Sequence, residues 1–340
     1  MSEIMGAHNT SSLDAPSVSS HVSVMLGEVL DALNPDQNGV YVDGTFGAGG
    51  YSRAILERNV SMLWAIDRDP SVTMAAEKIE KDFPGKFKLL KGCFSEMESL
   101  LSEQGQKTVD GIVLDIGVSS MQIDQADRGF SFINDGPLDM RMGDIGPTAA
   151  DVVNLSEEEE LANIIYQFGE ERASRRVAHA IVEAREVKPF TRTLELSKIV
   201  EKAVGAPRYK KGKRQIHGAT RTFQALRIFV NDELGELRRG LEAAERILSP
   251  GGRLCVVTFH SLEDRVVKEF FKIRSGDVAR PSRHMPSQVD QMPDPTFEIL
   301  FKGAKKASEQ EIEQNIRSRS AKLRAAVRTE ATAWKKEIAA

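Results

Sequence analysis

The sequence predicts an α/β fold in which a doubly wound, Rossmann-like parallel sheet carries an inserted helical domain. Three observations predict it. Short apolar runs that close on an acid alternate with helical stretches, the order of a parallel sheet covered on both faces. Glycines follow the first run, where the chain must turn sharply into a helix. The stretch between the fourth and fifth runs is several times longer than the single helix and short loops that normally join neighbouring strands.

Residues 39–43 (GVYVD) read as a buried strand leading into a glycine-rich turn, and 51–58 as a helix. Residues 61–67 (SMLWAID) form a second strand, again closed by an acid, and 71–82 a helix with Pro70 at its start. Residues 86–91 and 109–115 (VDGIVLD) supply the third and fourth strands. A helix over 231–249 then leads through Pro250-Gly251-Gly252 into a fifth strand at 253–258 (RLCVVT). The excess, residues 120–217, reads as a helical insertion with helices at 156–168, 170–186 and 194–204. Ser156 is the expected N-cap of the first, with Glu159 completing a capping box. Beyond the fifth strand, 261–274 is a helix, 275–295 a Pro/Ser-rich loop, and 296–301 and 322–328 a final strand pair around a helix at 309–315. The predicted organisation is a disordered N-terminal tail over 1–20, a discontinuous sheet domain over 21–119 and 218–340, and a substrate-recognition insertion over 120–217.

Composition narrows the class. The chain has 340 residues, 41% hydrophobic and 28% charged, as in an ordinary soluble globular protein. A formal net charge of −4 confines any nucleic-acid surface to a local basic patch. Cys93 and Cys255 stand far apart, so no disulfide framework is expected and a reducing cytoplasm fits. The histidines lack zinc-ligand spacing, and no metal is expected. No run of about 18 apolar residues exists, so no membrane span is expected, and the polar, Ser-rich start is not a signal peptide.

The cofactor signal begins at Asp43-Gly44-Thr45-Phe46-Gly47-Ala48-Gly49-Gly50. Glycines after a parallel strand let backbone approach a ligand at a helix N-terminus. The dinucleotide pattern GxGxxG is absent, which argues against an oxidoreductase. An acid before the glycines suits the cationic methionine end of S-adenosylmethionine better than a pyrophosphate. Asp67, at the second strand's tip, suits a carboxylate that accepts from two ribose hydroxyls. Asp115 ends the fourth strand. Three acids at three strand tips line one edge of the sheet, where such folds bind ligands, and a non-catalytic RNA-binding module has no need of them.

The residues also carry a family resemblance. Residues 41–50 (YVDGTFGAGG), 65–70 (AIDRDP), 114–120 (LDIGVSS), 127–142 (DRGFSFINDGPLDMRM), 219–231 (ATRTFQALRIFVN), 250–254 (PGGRL) and 259–265 (FHSLEDR) occur in the order found in bacterial 16S rRNA (cytosine-N4-)-methyltransferases of the MraW type. The chain resembles that family from His21 to about Arg328. The resemblance implies a class I S-adenosylmethionine-dependent methyltransferase sheet with a helical insertion for RNA. It implies methylation of a cytidine N4 amine in the decoding region of 16S rRNA, free or in the assembling small subunit, and is compatible with a homodimer. Carried over motif by motif, the cofactor contacts fall on Gly49, Gly50, Tyr51, Asp67, Phe94, Asp115 and Gln122. Position 51 is Tyr where the family usually has His, so only a backbone role is carried over there. Ile316 replaces a usual Pro. Methylation of another RNA, a protein or a small molecule is the nearest alternative.

An exocyclic cytosine amine needs hydrogen-bond acceptors to localise its lone pair. Candidates near the fourth strand are Asp115, the carbonyls of 116–119, Ser119 and Ser120; Asp115 ranks first as a cofactor ligand. His260 at the fifth strand's tip is a further catalytic candidate, while Ser261 and Asp264 read as a capping box. Asp139 and Arg141 hold RNA or cofactor, or pair with each other. Neither cysteine has the setting of a nucleophile for C5 methylation. Residues 208–214 (RYKKGKR) are basic at five of seven positions, in a stretch from 203 to 231 that contains no acid. Lys210, Lys211, Lys213, Arg214 and Arg221 are therefore the expected RNA-phosphate contacts.

Overall fold

The computed structural model describes residues 23–205, 217–277 and 293–334. Helix α1 (Leu26–Leu33) precedes β1 (Val40–Asp43), α2 (Gly50–Leu56), β2 (Met62–Asp67), α3 (Thr73–Asp82), β3 (Phe87–Lys91), α4 (Met97–Glu103) and β4 (Val109–Asp115). Six helices intervene: α5 (Ser120–Asp124), α6 (Ala149–Leu155), α7 (Glu158–Gly169), α8 (Ser174–Val187), α9 (Thr193–Val204) and α10 (Thr220–Val230). Helix α11 (Glu233–Ile247) then returns the chain to the sheet as β5 (Leu248–Thr258). Helix α12 (Ser261–Arg274), β6 (Phe297–Ile299), β7 (Lys305–Lys306), α13 (Glu309–Gln314) and β8 (Lys322–Arg328) complete the described chain.

The sheet runs β3-β2-β1-β4-β5-β8-β6, with β7 also paired to β8. Strands β1 to β5 are mutually parallel, and β8 is antiparallel to its neighbours. Strand order reverses between β1 and β4, which opens a crevice at their carboxyl ends. The register brings the acids there: Asp43 aligns with Ala65 and Val113, Asp67 with Lys91, and Asp115 with Val257.

Alternating side chains build the two faces. Tyr41, Ala65 and Val113 pack with Val29, Ile55 and Ile79 from α1, α2 and α3. Val42, Ile66 and Leu114 point the other way, against Met97, Leu241 and Val267 of α4, α11 and α12. Both faces are covered, so the strands read as continuous apolar runs.

The helical unit has its own core, built from Leu161, Ile165, Val177, Ile181, Leu196 and Val200. Ala219, Phe223 and Leu226 join it, so helical packing continues past residue 217 through α10. The side chain of Asn231, at the end of α10, holds the 140–142 segment, and Arg68 after β2 donates to the Asn231 carbonyl at 3.3 Å. Its Oδ1 accepts from Met142 N–H at 2.8 Å and its Nδ2 donates to the Met140 carbonyl at 2.7 Å.

Two expected caps move. Ser156 does not cap α7; it closes α6, and α7 starts after Glu157 with no side-chain cap. Three glutamates in its first turn favour the helix dipole instead. Helix α12 is capped by His260 with Glu263, one residue before the expected Ser261–Asp264 pair. Asp264 is drawn away by Lys322 and Arg324, both at 2.7 Å. Among the described residues no helix is long and apolar enough to cross a membrane.

Candidate active site

A cavity of about 380 Å³ lies at the crevice. Its floor is the loop from Gly44 to Gly50. Gly49 is left-handed at φ 79°, and a Cβ there would sit within 2.9 Å of the Phe46 ring and 2.6 Å of Ile79, so only glycine fits. The Gly47 N–H donates to Asp67 Oδ2 at 2.8 Å, tying the loop to the second strand tip.

The three acids do different work. Asp67 lines the cavity, and its Oδ1 accepts the Asp69 N–H at 2.9 Å. Each of its oxygens thus holds one backbone N–H and keeps a lone-pair site for a ligand. Burial pushes its pKa up. Asp115 also lines the cavity, and its buried Oδ1 has no hydrogen-bond partner. Burial first, then the charges of Asp43 and Glu263, push its pKa well up. Asp43 departs from expectation, because it does not border the cavity. Its carboxylate is fully buried behind the loop, where Ser52 Oγ donates to Oδ2 at 2.7 Å and Thr45 N–H to Oδ1 at 3.2 Å. Burial raises its pKa to about 6. Its short distance from the glycines along the chain made it look like a wall residue; it braces the loop from behind.

Of the other expected cofactor residues, Gly50, Tyr51, Phe94 and Gln122 line the cavity, while Gly49 shapes the loop behind it. The Tyr51 side chain turns inward and its hydroxyl donates to the Val24 carbonyl, so it has no free polar end for a ligand. The Phe94 ring leans on Gly240, where a Cβ would come within 2.4 Å of it, and so remains beside the cavity. Gln122 is nearly committed. Its Oε1 accepts from Ser119 N–H at 3.0 Å and its Nε2 donates to Asp69 Oδ2 at 2.7 Å.

The catalytic candidates separate. Ser119 lines the cavity, and its hydroxyl oxygen caps α5 by accepting from Gln122 N–H at 3.2 Å. Ser120 opens α5, and its side chain lies outside the described residues. His260 is not among the cavity-lining residues. Its ring caps α12 at Nδ1, and Nε2 lies 2.8 Å from Glu263 Oε1. Asp139 and Arg141 form a closed pair, with two bonds of 2.8 Å, and turn away from a ligand role. Arg221 is half-exposed, outside this cavity. Lys210, Lys211, Lys213 and Arg214 lie outside the described residues.

The structure adds wall residues that sequence reasoning missed. Arg227 of α10 borders the cavity and holds Glu233 through two bonds of 2.7 and 2.8 Å. A lone arginine inside the apolar run FQALRIFV was the available signal, since a buried guanidinium needs an acid. Glu236 adds a buried Oε2 with no partner. Asn315, Arg317 and Ser320 close the far wall, and Arg317 reaches Asp124 of α5. Glu233, His260 and Glu263 bring possible metal donors within 4.8 Å of one another. Both Glu233 oxygens are already taken by Arg227, and Glu263 Oε2 accepts the Phe259 and His260 N–H groups. Arg227 also lies 4.0 Å from Glu263 Oε1, so its guanidinium faces both carboxylates.

A family model described as the MraW methylase family matches residues 18–329. The chain is 61% identical over 314 residues to the ribosomal RNA small subunit methyltransferase H of Paramagnetospirillum magneticum, covering 92% of this chain and 97% of that protein. It is 56% identical over 324 residues to the protein of the same name from Parvibaculum lavamentivorans, covering 95% and 94%. The one from Rhodospirillum rubrum is 55% identical over 317 residues, covering 92% and 96%.

Proposed function

The chain belongs to the MraW methylase family, and we infer from that premise that it transfers a methyl group from S-adenosylmethionine to the N4 amine of a cytidine in the decoding region of 16S rRNA. The observation that carries the reading is the set of three strand-tip acids around one cavity: Asp67 and Asp115 line it, and Asp43 is fully buried behind its glycine loop, with burial raising the pKa of all three. Such a set is costly without a cation to face it. S-adenosylmethionine supplies an electrophilic methyl group on a positively charged sulfonium.

In this reading Asp67 takes the ribose hydroxyls on its two outward lone pairs, and Phe94 offers its ring face to the adenine. Backbone at Gly49, Gly50 and Tyr51 follows the methionine end. Gln122 holds Asp69 and the turn at Ser119 in place. Asp115 faces the cationic end first, and as a carboxylate on the cavity wall it is also a candidate acceptor for the proton that the amine must lose. The carbonyls of 116–119 and the Ser119 hydroxyl are the remaining polar groups for aligning that amine. The basic run 208–214 and Arg221 contact phosphates, and the enzyme works in the cytoplasm on the assembling small subunit. Nothing in the mechanism calls for a second copy of the chain.

Attack at C5 of the ring would instead need an activated thiolate. Cys255 is buried in β5 with its thiol pushed up to about 12, and burial raises Cys93 as well. Replacing both by Ala is therefore expected to leave turnover within about threefold of the parent, whereas deleting a true nucleophile costs orders of magnitude. The test supplies assembled small subunits with labelled S-adenosylmethionine and digests the RNA to nucleosides. Label is expected in N4-methylcytidine. Label on C5, on the ribose or on protein would overturn the proposed chemistry.

A further inference from the structure

We infer that the open groove between the helical unit and the N-terminal end of α12 binds the RNA strand beside the target nucleotide, through its phosphates and one unpaired base. This inference rests on the rRNA reading above. The groove brings together Tyr166 of α7, Arg172, Arg221 of α10 and Arg265 of α12, with Leu262 among its lining. Three guanidinium groups from three separate segments converge in a chain whose net charge is −4. A run of charge along one helix face is commonly just solvated, but convergence across elements has to be arranged by the fold.

The arginines retain most of their donors. Arg265 gives one bond, to Glu170 Oε1 at 3.1 Å. Arg221 donates to the Glu170 carbonyl at 3.4 Å and lies 3.7 Å from Glu171. Arg172 is exposed and forms no ion pair among the described residues. A guanidinium has five N–H donors in a planar fork that matches phosphate oxygens. Glu170 holds the arrangement together: its carboxylate also accepts from Ser261 Oγ at 2.8 Å, joining α12 to the helical unit. The three arginines exceed Glu170 and Glu171 by one positive charge.

Tyr166 is 61% exposed, a large aromatic side chain turned to solvent rather than into the core of its own helix. Unpaired RNA bases are held by stacking on such faces, and the neighbouring Gln167 amide can pair with a base edge. The groove also stands at a useful distance. Helix α10 carries Arg221 in the groove and Arg227 on the cofactor-cavity wall. Six residues of helix span about 9 Å. One helix thus joins the groove to the cavity wall.

The test compares R172Q/R265Q, Y166A, the conservative Y166F, and K78Q on α3 as a control. Probes are protein-free 16S rRNA and the assembled small subunit. The double arginine variant is expected to flatten the salt dependence of binding by about 0.7–0.9 in log–log slope per arginine on both probes. It should raise KM for the subunit by about tenfold, with kcat and S-adenosylmethionine affinity nearly unchanged. Y166A should weaken binding, with Y166F and K78Q like the parent. An unchanged salt slope on both probes overturns the inference. So does an effect on the assembled subunit alone, which would mean that the groove meets protein. A parent enzyme that neither binds nor methylates the rRNA would instead bring down the functional reading, and this inference with it.

Discussion

Asp115→Ala is expected to lower methyl transfer by about 100-fold or more while leaving the protein at least as stable as the parent. The first half follows from the place of its carboxylate on the cavity wall: an acceptor for the cationic end of the cofactor, or for the amine proton, contributes on the order of 10²–10⁴-fold when correctly placed. The second half follows from the lack of a partner. A buried oxygen without a hydrogen bond costs about 1–3 kcal/mol, and removing it relieves that cost. The pH dependence has a definite sign. Burial, Asp43 and Glu263 raise the Asp115 pKa, so the folded state favours the neutral acid. Its contribution to stability is present below the ordinary carboxylate range and is lost as pH rises through the raised pKa. The stability gap between variant and parent should therefore open as pH rises, over the window in which parental turnover also rises. Thermal melts across pH, read beside single-turnover rates, check both halves. A variant that unfolds more readily at neutral pH would make Asp115 a structural residue.

Asp67→Ala is expected to weaken S-adenosylmethionine binding by about 1.5–3 kcal/mol, the range for hydrogen bonds to a charged group, or about 10- to 150-fold in Kd. The side chain also accepts the Gly47 and Asp69 N–H groups, so part of the loss comes from a looser glycine loop. Calorimetry measures the affinity, and far-ultraviolet circular dichroism checks that the fold survives. Unchanged affinity with the fold intact would remove Asp67 from the site.

How much of this was legible follows from what each element depends on. Strands β1, β2 and β4 announced themselves because both sheet faces are covered, giving apolar runs closed by Asp43, Asp67 and Asp115. Those endings also exposed the ligand edge. Helix α10 did not announce itself: Thr220, Thr222, Ile228 and Val230 are β-branched, and its helical state comes with packing against α7. The switch of the α12 cap from Ser261 to His260 was equally hidden, because it depends on Glu263 reaching back and on Lys322 and Arg324 claiming Asp264. Asn315, Arg317 and Ser320 reach the cavity only through the antiparallel return of β8, and no local pattern marks them. Asp43 shows the opposite limit: its position along the chain was legible, but the direction of its side chain was set by Ser52, nine residues on in the first turn of α2.

The most direct test of the account is nucleoside mass spectrometry of small-subunit rRNA from a strain lacking this gene, complemented with the parent or with Asp115→Ala. The account predicts that N4 methylation of one decoding-region cytidine disappears on deletion, returns with the parent and stays low with the variant. An N4-methyl signal unchanged by deletion, or fully restored by Asp115→Ala at equal protein level, would contradict it.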